Sequence, residues 1–174
     1  MSALHSAVLQ IAELDEGYEL SGPADPDSNI EMHLHQRYKG LFARKDIVAG
    51  AVIFYFNGRI SRRPNKYSVQ LSRDKHVDFP PVRVPDDDLD YAWQYLNHSC
   101  EPNGYVNAEE FCFCALRNIA KGEELTFNYL ATEYELASPF QCDCGSAKCF
   151  GFIRGGKFLT ADQLAELSPV TSMK

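Results

Sequence analysis

Residues 95–103 read Tyr-Leu-Asn-His-Ser-Cys-Glu-Pro-Asn. This stretch places an amide, an imidazole, a thiol and a turn-forming proline within nine residues, which is more polar chemistry than packing alone requires. Two later stretches supply groups that complement it. Residues 122–129, Gly-Glu-Glu-Leu-Thr-Phe-Asn-Tyr, end on a tyrosine, and residues 142–151, Cys-Asp-Cys-Gly-Ser-Ala-Lys-Cys-Phe-Gly, contain three thiols. We predict that the three segments meet in space and form one active site with a metal clasp.

The size and composition are those of a single globular domain. The chain has 174 residues, of which 45% are hydrophobic and 24% charged, and these values are usual for one domain with a buried core. It carries 17 basic and 24 acidic residues, which gives a net charge of −7. Because a surface of this sign repels phosphates, we expect no direct nucleic-acid binding and a cationic partner instead.

The N-terminal residues lack the features of a secretory signal. Residues 1–17 have no cationic start and contain Glu13, Asp15 and Glu16. No apolar run reaches the roughly 20 residues that span a bilayer, so we expect no membrane association. We therefore predict an intracellular protein, nuclear or cytoplasmic. In such a reducing compartment the six cysteines, three of them in the tight cluster after residue 141, are typical of metal ligands and not of disulfides.

Short runs of β-branched and aromatic residues dominate the pattern of the chain. Residues 41–58 predict two strands separated by a turn at Ala49-Gly50, and residues 67–72 and 111–117 predict further strands. Residues 119–127 repeat the pattern of a turn followed by a strand. Residues 90–96 predict one or two helical turns. Thr160 to Gln163 have the form of a helix capping box, which predicts a short helix ending near Leu167. The expected architecture is mostly β, with several small sheets and short helices.

The three opening stretches identify a family by resemblance. Residues 97–103 followed by residues 122–129 resemble the two signature motifs of the SET-domain protein-lysine methyltransferases, and residues 142–151 resemble their post-SET segment. The match covers roughly residues 37–153. It implies a SET fold of several small β-sheets in which the signature segments form a pseudoknot. It further implies S-adenosylmethionine as methyl donor, a lysine side chain as acceptor, and a C-terminal segment bound to zinc.

The resemblance divides the chain into four parts. Residues 1–30 are the N-terminal flank, residues 31–136 the SET domain, residues 137–155 the post-SET zinc segment, and residues 156–174 a short C-terminal helix and tail.

Two aromatic residues of the second signature match the family's catalytic positions. Methyl transfer to lysine is an in-line displacement that needs a neutral amine, although free lysine titrates near ~10.4. Tyr129 matches the catalytic tyrosine, whose hydroxyl lies near the methyl group and the target nitrogen. Phe127 falls where family members carry Phe or Tyr. Because phenylalanine leaves room for a methylated nitrogen, we predict di- or trimethylation.

The resemblance also assigns donor-binding residues. Asn97 and His98 match the pair that holds the methionine and adenine parts of the donor, and the catalytic tyrosine borders the same site. The further matching positions are Arg37, Tyr38, Lys39, Tyr67 and Phe152. One departure stands out: Tyr38 occupies a position where the family usually has glycine, and glycine allows close backbone approach that tyrosine does not.

The cysteine cluster supplies Cys142, Cys144 and Cys149, whereas structural zinc takes four ligands. The family completes its site with the cysteine of the first signature, which is Cys100 here. The remaining cysteines, 112 and 114, alternate along a predicted strand, and we interpret them as core or surface thiols, with a metal role as the alternative.

The leading prediction is therefore an enzyme, a lysine N-methyltransferase that uses S-adenosylmethionine and acts on a histone tail or another basic protein. One alternative is a SET-fold protein-binding module without turnover. The other keeps the methyltransferase but gives it a non-histone protein or a small amine as acceptor.

Overall fold

Short strands follow one another along the chain, in agreement with the predicted mostly-β pattern. The computed structural model describes residues 10–14, 17–21, 28–35, 38–80 and 89–167. Residues 1–9 of the predicted flank and 168–174 of the predicted tail lie outside this range. In chain order the strands are β1 (Gln10–Leu14), β2 (Gly17–Ser21), β3 (Ile30–His35), β4 (Tyr38–Ala43), β5 (Val52–Tyr55), β6 (Gly58–Ser61), β7 (Val69–Ser72), β8 (Lys75–Asp78), β9 (Asn97–His98), β10 (Gly104–Asn107), β11 (Cys112–Ala115), β12 (Thr126–Phe127), β13 (Phe140–Gln141) and β14 (Phe152–Ile153).

The helical segments are brief. Turns of 3₁₀ helix cover Leu89–Tyr95, Tyr129–Ala131 and Gly156–Phe158, and the helix α1 covers Ala161–Leu167. The predicted capping box is confirmed, because Gln163 N donates to Thr160 Oγ1 at 3.3 Å and Thr160 N donates to Gln163 Oε1 at 2.9 Å. None of the helices in the described ranges is long and apolar enough to cross a bilayer.

The strands form several small sheets. One sheet has five strands in the order β1-β2-β6-β8-β7, a second has the order β10-β11-β5, and β3 with β4 and β13 with β14 form separate antiparallel pairs. The predicted strand at residues 67–72 begins later, at Val69, because Asn65 Oδ1 accepts hydrogen bonds from the backbone N–H groups of Tyr67 and Ser68 and holds them in a turn.

The two signature segments pair directly. Strands β9 and β12 run parallel, with Thr126 opposite Asn97 and Phe127 opposite His98. Asn103 is almost fully buried and crosslinks the same segments, since its Nδ2 donates to Glu124 O at 2.7 Å and its Oδ1 accepts from Thr126 N at 2.9 Å. This pairing carries the chain directly into Tyr129.

Two hydrophobic cores flank the start of the 3₁₀ turn at residue 129. The larger core contains the fully buried side chains of Phe56, Trp93 and Phe113. The smaller core contains the buried residues Cys100, Leu130, Cys142, Ile153 and Leu167. Tyr129 packs against both cores. The position of Tyr129 therefore depends on the larger core and on the smaller core together.

The larger core leaves no room for a side chain at Gly104 of β10. A Cβ atom at this position would lie 2.2 Å from Cζ of Phe113, a ring that is fully buried and stacked on Phe54 with a centroid distance of 5.3 Å. We expect Gly104→Ala to lower the free energy of unfolding by about 1–3 kcal/mol, as overpacking does, and chemical denaturation measures it. If the clash is the cause, Phe113→Leu in the same chain recovers part of the loss; purely additive effects would contradict this explanation.

Candidate active site

A cavity of about 310 Å³ opens beside the second signature segment. Phe127 and Tyr129 form one wall, and Tyr67, Trp93, Leu96 and Phe140 contribute to the others. The Phe127 and Tyr129 rings are 4.7 Å apart between centroids, and the Tyr129 and Phe140 rings 6.0 Å apart. Aromatic rings thus face the cavity from several sides, beside aliphatic and polar residues, which suits an extended aliphatic chain with a small polar end.

Tyr129 is fixed at both its backbone and its hydroxyl. The hydroxyl donates to Leu96 O at 2.6 Å, and the backbone N–H donates to His98 Nδ1 at 3.1 Å. Burial raises the pKa of Tyr129 well above its usual value, and the carboxyls of Glu133 and Glu124 raise the pKa further. The phenol therefore stays protonated, while its oxygen keeps lone pairs that can accept a hydrogen bond.

His98 connects Tyr129 to the cysteine cluster. Its Nδ1 accepts from the backbone of Tyr129, and its Nε2 lies 3.3 Å from Cys100 Sγ. Burial lowers the pKa of His98 to about 4, so the imidazole is neutral. With Nδ1 acting as acceptor, the ring hydrogen is on Nε2 and faces the sulfur.

The predicted donor-binding residues Tyr38, Lys39 and Asn97 meet around a carboxylate. Asn97 Nδ2 donates to Lys39 O at 3.1 Å and to Glu124 Oε1 at 2.8 Å, and the hydroxyl of Tyr38 donates to Glu124 Oε2 at 3.5 Å. A Cβ atom at Gly40 would lie 2.7 Å from that Oε1, so the glycine permits the close approach. Sequence reasoning quoted Glu124 as part of its motif but gave it no role.

The remaining donor-binding predictions are more dispersed. Tyr67 lines the aromatic cavity with Tyr129, and Phe152 lies on β14 with 53% of its surface exposed. Tyr38 needs no unusual backbone, since Phe111 is the one non-glycine residue with positive φ among those the structure describes. The side chain at the usual glycine position therefore changes the surface but does not strain the strand. Arg37 lies outside the described residues.

The four cysteines predicted to bind metal converge. The sulfur atoms of Cys100, Cys142, Cys144 and Cys149 all lie within 4.8 Å of one another, and Cys100 Sγ is 3.9 Å from both Cys142 Sγ and Cys149 Sγ. Tetrahedral zinc with Zn–S bonds of about 2.3 Å requires sulfur separations of about 3.8 Å. Backbone N–H groups of Phe150 and Gly151 approach two of these sulfurs at 3.4 Å. The donor set and its spacing fit zinc.

The other two cysteines are core residues. Cys112 and Cys114 are buried in β11, and their sulfur atoms are 3.4 Å apart. They do not belong to the four-thiol group.

Phe140 and Glu133 are among the residues of the cavity wall that sequence reasoning missed. Glu133 is buried, and burial raises its pKa to about 7. It follows Tyr129 by four residues, so helical spacing could have indicated a shared face. Phe140 precedes Cys142 by two residues, but only the pairing of β13 with β14 brings its ring to His98, at 5.7 Å between centroids.

A comparison with protein-family models decides the identification. The model of the SET domain matches residues 39–130, which is more than half of the chain. The chain belongs to the SET-domain family.

Individual relatives agree with this assignment. This SET-domain protein is 43% identical over 153 residues to the histone-lysine N-methyltransferase, H3 lysine-36 specific, of Aspergillus fumigatus. The aligned region covers 76% of this chain and 15% of the relative. Over 73 residues the chain is 38% identical to the methyltransferase flvH of Aspergillus flavus, covering 41% of each. It therefore spans less than half of the length of either relative.

A solved structure shares the fold. The crystal structure of KRYPTONITE in complex with mCHH DNA, H3(1-15) peptide and SAH superposes with a TM-score of 0.52 at 20% identity, covering 71% of this SET-domain protein and 29% of that chain.

Proposed function

We propose that this SET-domain protein transfers a methyl group from S-adenosylmethionine to the side-chain amine of a lysine. The observation that carries the proposal is the cavity of about 310 Å³ that Phe127, Phe140 and the protonated Tyr129 line together. Such a cavity admits the aliphatic chain of lysine, removes water from its amine and restricts the direction of approach. Phe127 then forms the side of the cavity against which the nitrogen lies.

The methyl donor, S-adenosylmethionine, is proposed to bind beside Asn97. The group formed by Tyr38, Lys39, Asn97 and Glu124 offers carbonyl, amide and carboxylate groups at the edge of the β9–β12 pair. S-adenosylmethionine carries both a sulfonium and an ammonium group, and a carboxylate at this edge favours a cationic ligand. His98 and Phe152 complete the proposed site, as the family pattern implies.

Zinc is the proposed occupant of the four-thiol cluster. Bound there, the ion would join the first signature segment, through Cys100, to residues 137–155 by coordinate bonds to the thiolates. Three of its ligands lie between or beside β13 and β14, and Phe140 of β13 touches both His98 and Tyr129. Closing the cluster therefore holds one wall of the cavity in position.

The proposed acceptor is a histone tail or another basic protein. The net charge of −7 favours a cationic partner. The A. fumigatus relative is named as a histone-lysine N-methyltransferase specific for lysine 36 of H3, whereas the A. flavus relative is named only as a methyltransferase. Most of the A. fumigatus relative lies outside the shared region, so the choice of lysine does not transfer with the similarity.

A methyl-transfer assay tests the proposal. The purified protein is incubated with labelled S-adenosylmethionine and one acceptor at a time. The acceptors are core histones, a lysate of unmodified proteins, and n-butylamine as a small amine. Label in histones or in lysate proteins supports lysine methylation, and label in n-butylamine alone moves the acceptor to a small molecule. Donor binding without transfer rejects the tested acceptors, whereas the absence of both donor binding and transfer contradicts the proposal and favours the binding module.

The product is expected to be di- or trimethyllysine, because Phe127 adds no hydroxyl to the narrow end of the cavity. Phe127 is 3% exposed and packs against Tyr129 and Phe113. Phe127→Tyr is expected to shift the product to monomethyllysine, since the added hydroxyl holds a water and crowds a methylated nitrogen. Mass spectrometry of the labelled acceptor measures the distribution. An unchanged distribution, with a first methylation within about threefold of the original rate, would contradict this role.

A further inference from the structure

Glu133 is a buried carboxyl on the wall of the cavity. Its side chain is 6% exposed, and its backbone N–H donates to Tyr129 O at 2.8 Å, which places it one helical turn beyond the catalytic position. Its Oε1 accepts from Gln70 N at 2.8 Å and is 3.4 Å from Thr132 Oγ1. The side-chain Oε1 of Gln70 also accepts a hydrogen bond from Tyr134 N at 2.7 Å. The carboxyl is thus held firmly, by neutral groups.

A carboxylate buried without a cation is unfavourable for folding, because burial removes its hydration and neutral hydrogen bonds replace only part of it. Burial accordingly raises the pKa of Glu133 to about 7. The described part of the cavity wall contains three other titratable groups: Tyr129 on the same turn, and Tyr67 and Lys66 before β7. Lys66 Nζ lies over the Tyr67 ring, 5.3 Å from its centroid. Glu133 is the one carboxyl on this described wall.

Tyr129 is badly suited to remove a proton from the acceptor. Burial raises its pKa, and its own proton is donated to Leu96 O at 2.6 Å. The Glu133 carboxyl is close enough to that phenol to raise its pKa further. A second group is therefore needed in the cavity if a lysine that enters as ammonium is to react as amine.

We propose that Glu133 binds the ammonium group of the acceptor and takes its proton before methyl transfer. The inference rests on the proposed methyltransferase activity. In the first step an N–H bond of the ammonium breaks and its proton binds the Glu133 carboxylate, leaving a neutral amine. The nitrogen lone pair then forms the N–CH₃ bond as the S–CH₃ bond of the sulfonium breaks, and its electrons stay on sulfur. The proton on Glu133 leaves to water before the next cycle.

Glu133→Gln is the decisive variant, because glutamine keeps the volume and an oxygen for Gln70 N but cannot take a proton. We expect kcat to fall about 100-fold at pH 7.5, a typical contribution of a positioned acid or base. The rise in kcat through pH 7 should disappear in the variant, whose rate should instead increase steadily toward the pKa of free lysine. Donor affinity, measured by calorimetry, should stay within about twofold. Glu135→Gln is the matched control, since this carboxyl pairs with Lys157 and lies outside the described cavity wall.

Stability separates this role from a structural one. The pKa of Glu133 is higher in the folded chain than the ~4.3 of an unfolded glutamate, so its ionisation on raising the pH through 7 destabilises the fold. Glu133→Gln should therefore melt at a higher temperature than the original protein at pH 8. A lower melting temperature together with an unchanged pH profile would make Glu133 a structural residue and overturn the proposal.

Binding of n-butylammonium, without donor, distinguishes failure of this inference from failure of the proposed function. Glu133→Gln should weaken n-butylammonium binding at least tenfold and leave binding of 1-pentanol, a neutral analogue, unchanged. An active protein whose rate, pH profile and cation binding survive the substitution overturns the role of Glu133. Cation binding that depends on Glu133 in a protein without methyl transfer supports the recognition step and rejects the proposed activity instead.

Discussion

Tyr129→Phe is expected to reduce methyl transfer at least ~100-fold while leaving donor affinity within about twofold. The substitution keeps the ring, and with it the contacts to Phe127, His98 and Phe140. It removes a single oxygen, which is fixed by its bond to Leu96 O and which, in the proposed reaction, accepts a hydrogen bond from the target nitrogen or the polarised methyl group. Loss of one such preorganised group typically costs 10²–10³ in kcat. Single-turnover transfer from labelled S-adenosylmethionine measures the effect.

The control for this substitution is Tyr134→Phe. Tyr134 is 45% exposed and lies outside the described wall of the cavity, so its hydroxyl should not affect transfer. The melting temperature of both variants should be recorded, because Tyr129→Phe also leaves Leu96 O without its partner, at a cost of about 1–3 kcal/mol. Transfer by Tyr129→Phe within threefold of the original rate, in a folded protein, would contradict the assigned role.

Cys142→Ser is expected to abolish both metal content and methyl transfer. The original protein should contain about one zinc ion per chain, and the variant less than a tenth of this. Cys142 is buried in the smaller core with Leu130 and Ile153, a cluster too small to hold residues 137–155 unaided. Binding of structural zinc supplies about 10–16 kcal/mol in zinc-finger peptides. Without it, the wall that Phe140 contributes is lost.

Mass spectrometry for metal and limited proteolysis of residues 137–155 measure these effects. Cys112→Ala is the control, because Cys112 is also buried but lies outside the four-thiol group. It should retain the zinc and most of the activity. Full metal content in Cys142→Ser, or loss of metal in Cys112→Ala, would contradict the assignment of the ligands.

Features that depend on short sequence motifs could be predicted from the sequence. His98 and Tyr129 lie together because their segments pair as parallel strands, and the cysteines predicted as ligands do converge. Periodicity also predicted the mostly-β architecture. The turn followed by a strand that residues 119–127 predict is confirmed by the turn at Gly122, with φ of 82°, and by the strand Thr126–Phe127. Strand ends were less accurate, since the strand predicted from residue 67 begins at Val69.

Other features depend on contacts that no local pattern encodes. The bond from Gln70 N to Glu133 joins residues 63 positions apart, and nothing around either residue indicates the other. Tyr67 was predicted beside the donor because of its resemblance, whereas its place on the cavity wall follows from the turn that Asn65 makes. Phe140 needed the β13–β14 pair. In each case the position of the side chain is set by packing between distant segments.

The smaller core has a consequence for protein synthesis. It joins Cys100 in the middle of the chain to Cys142 and Ile153 much later, and the fourth thiol of the cluster, Cys149, is the last to be translated. A nascent chain that has exposed only Tyr129 on the ribosome therefore lacks both the clasp and the Phe140 wall. If the proposed zinc cluster is needed for methyl transfer, we expect a ribosome stalled before residue 149 to carry a SET domain without this activity.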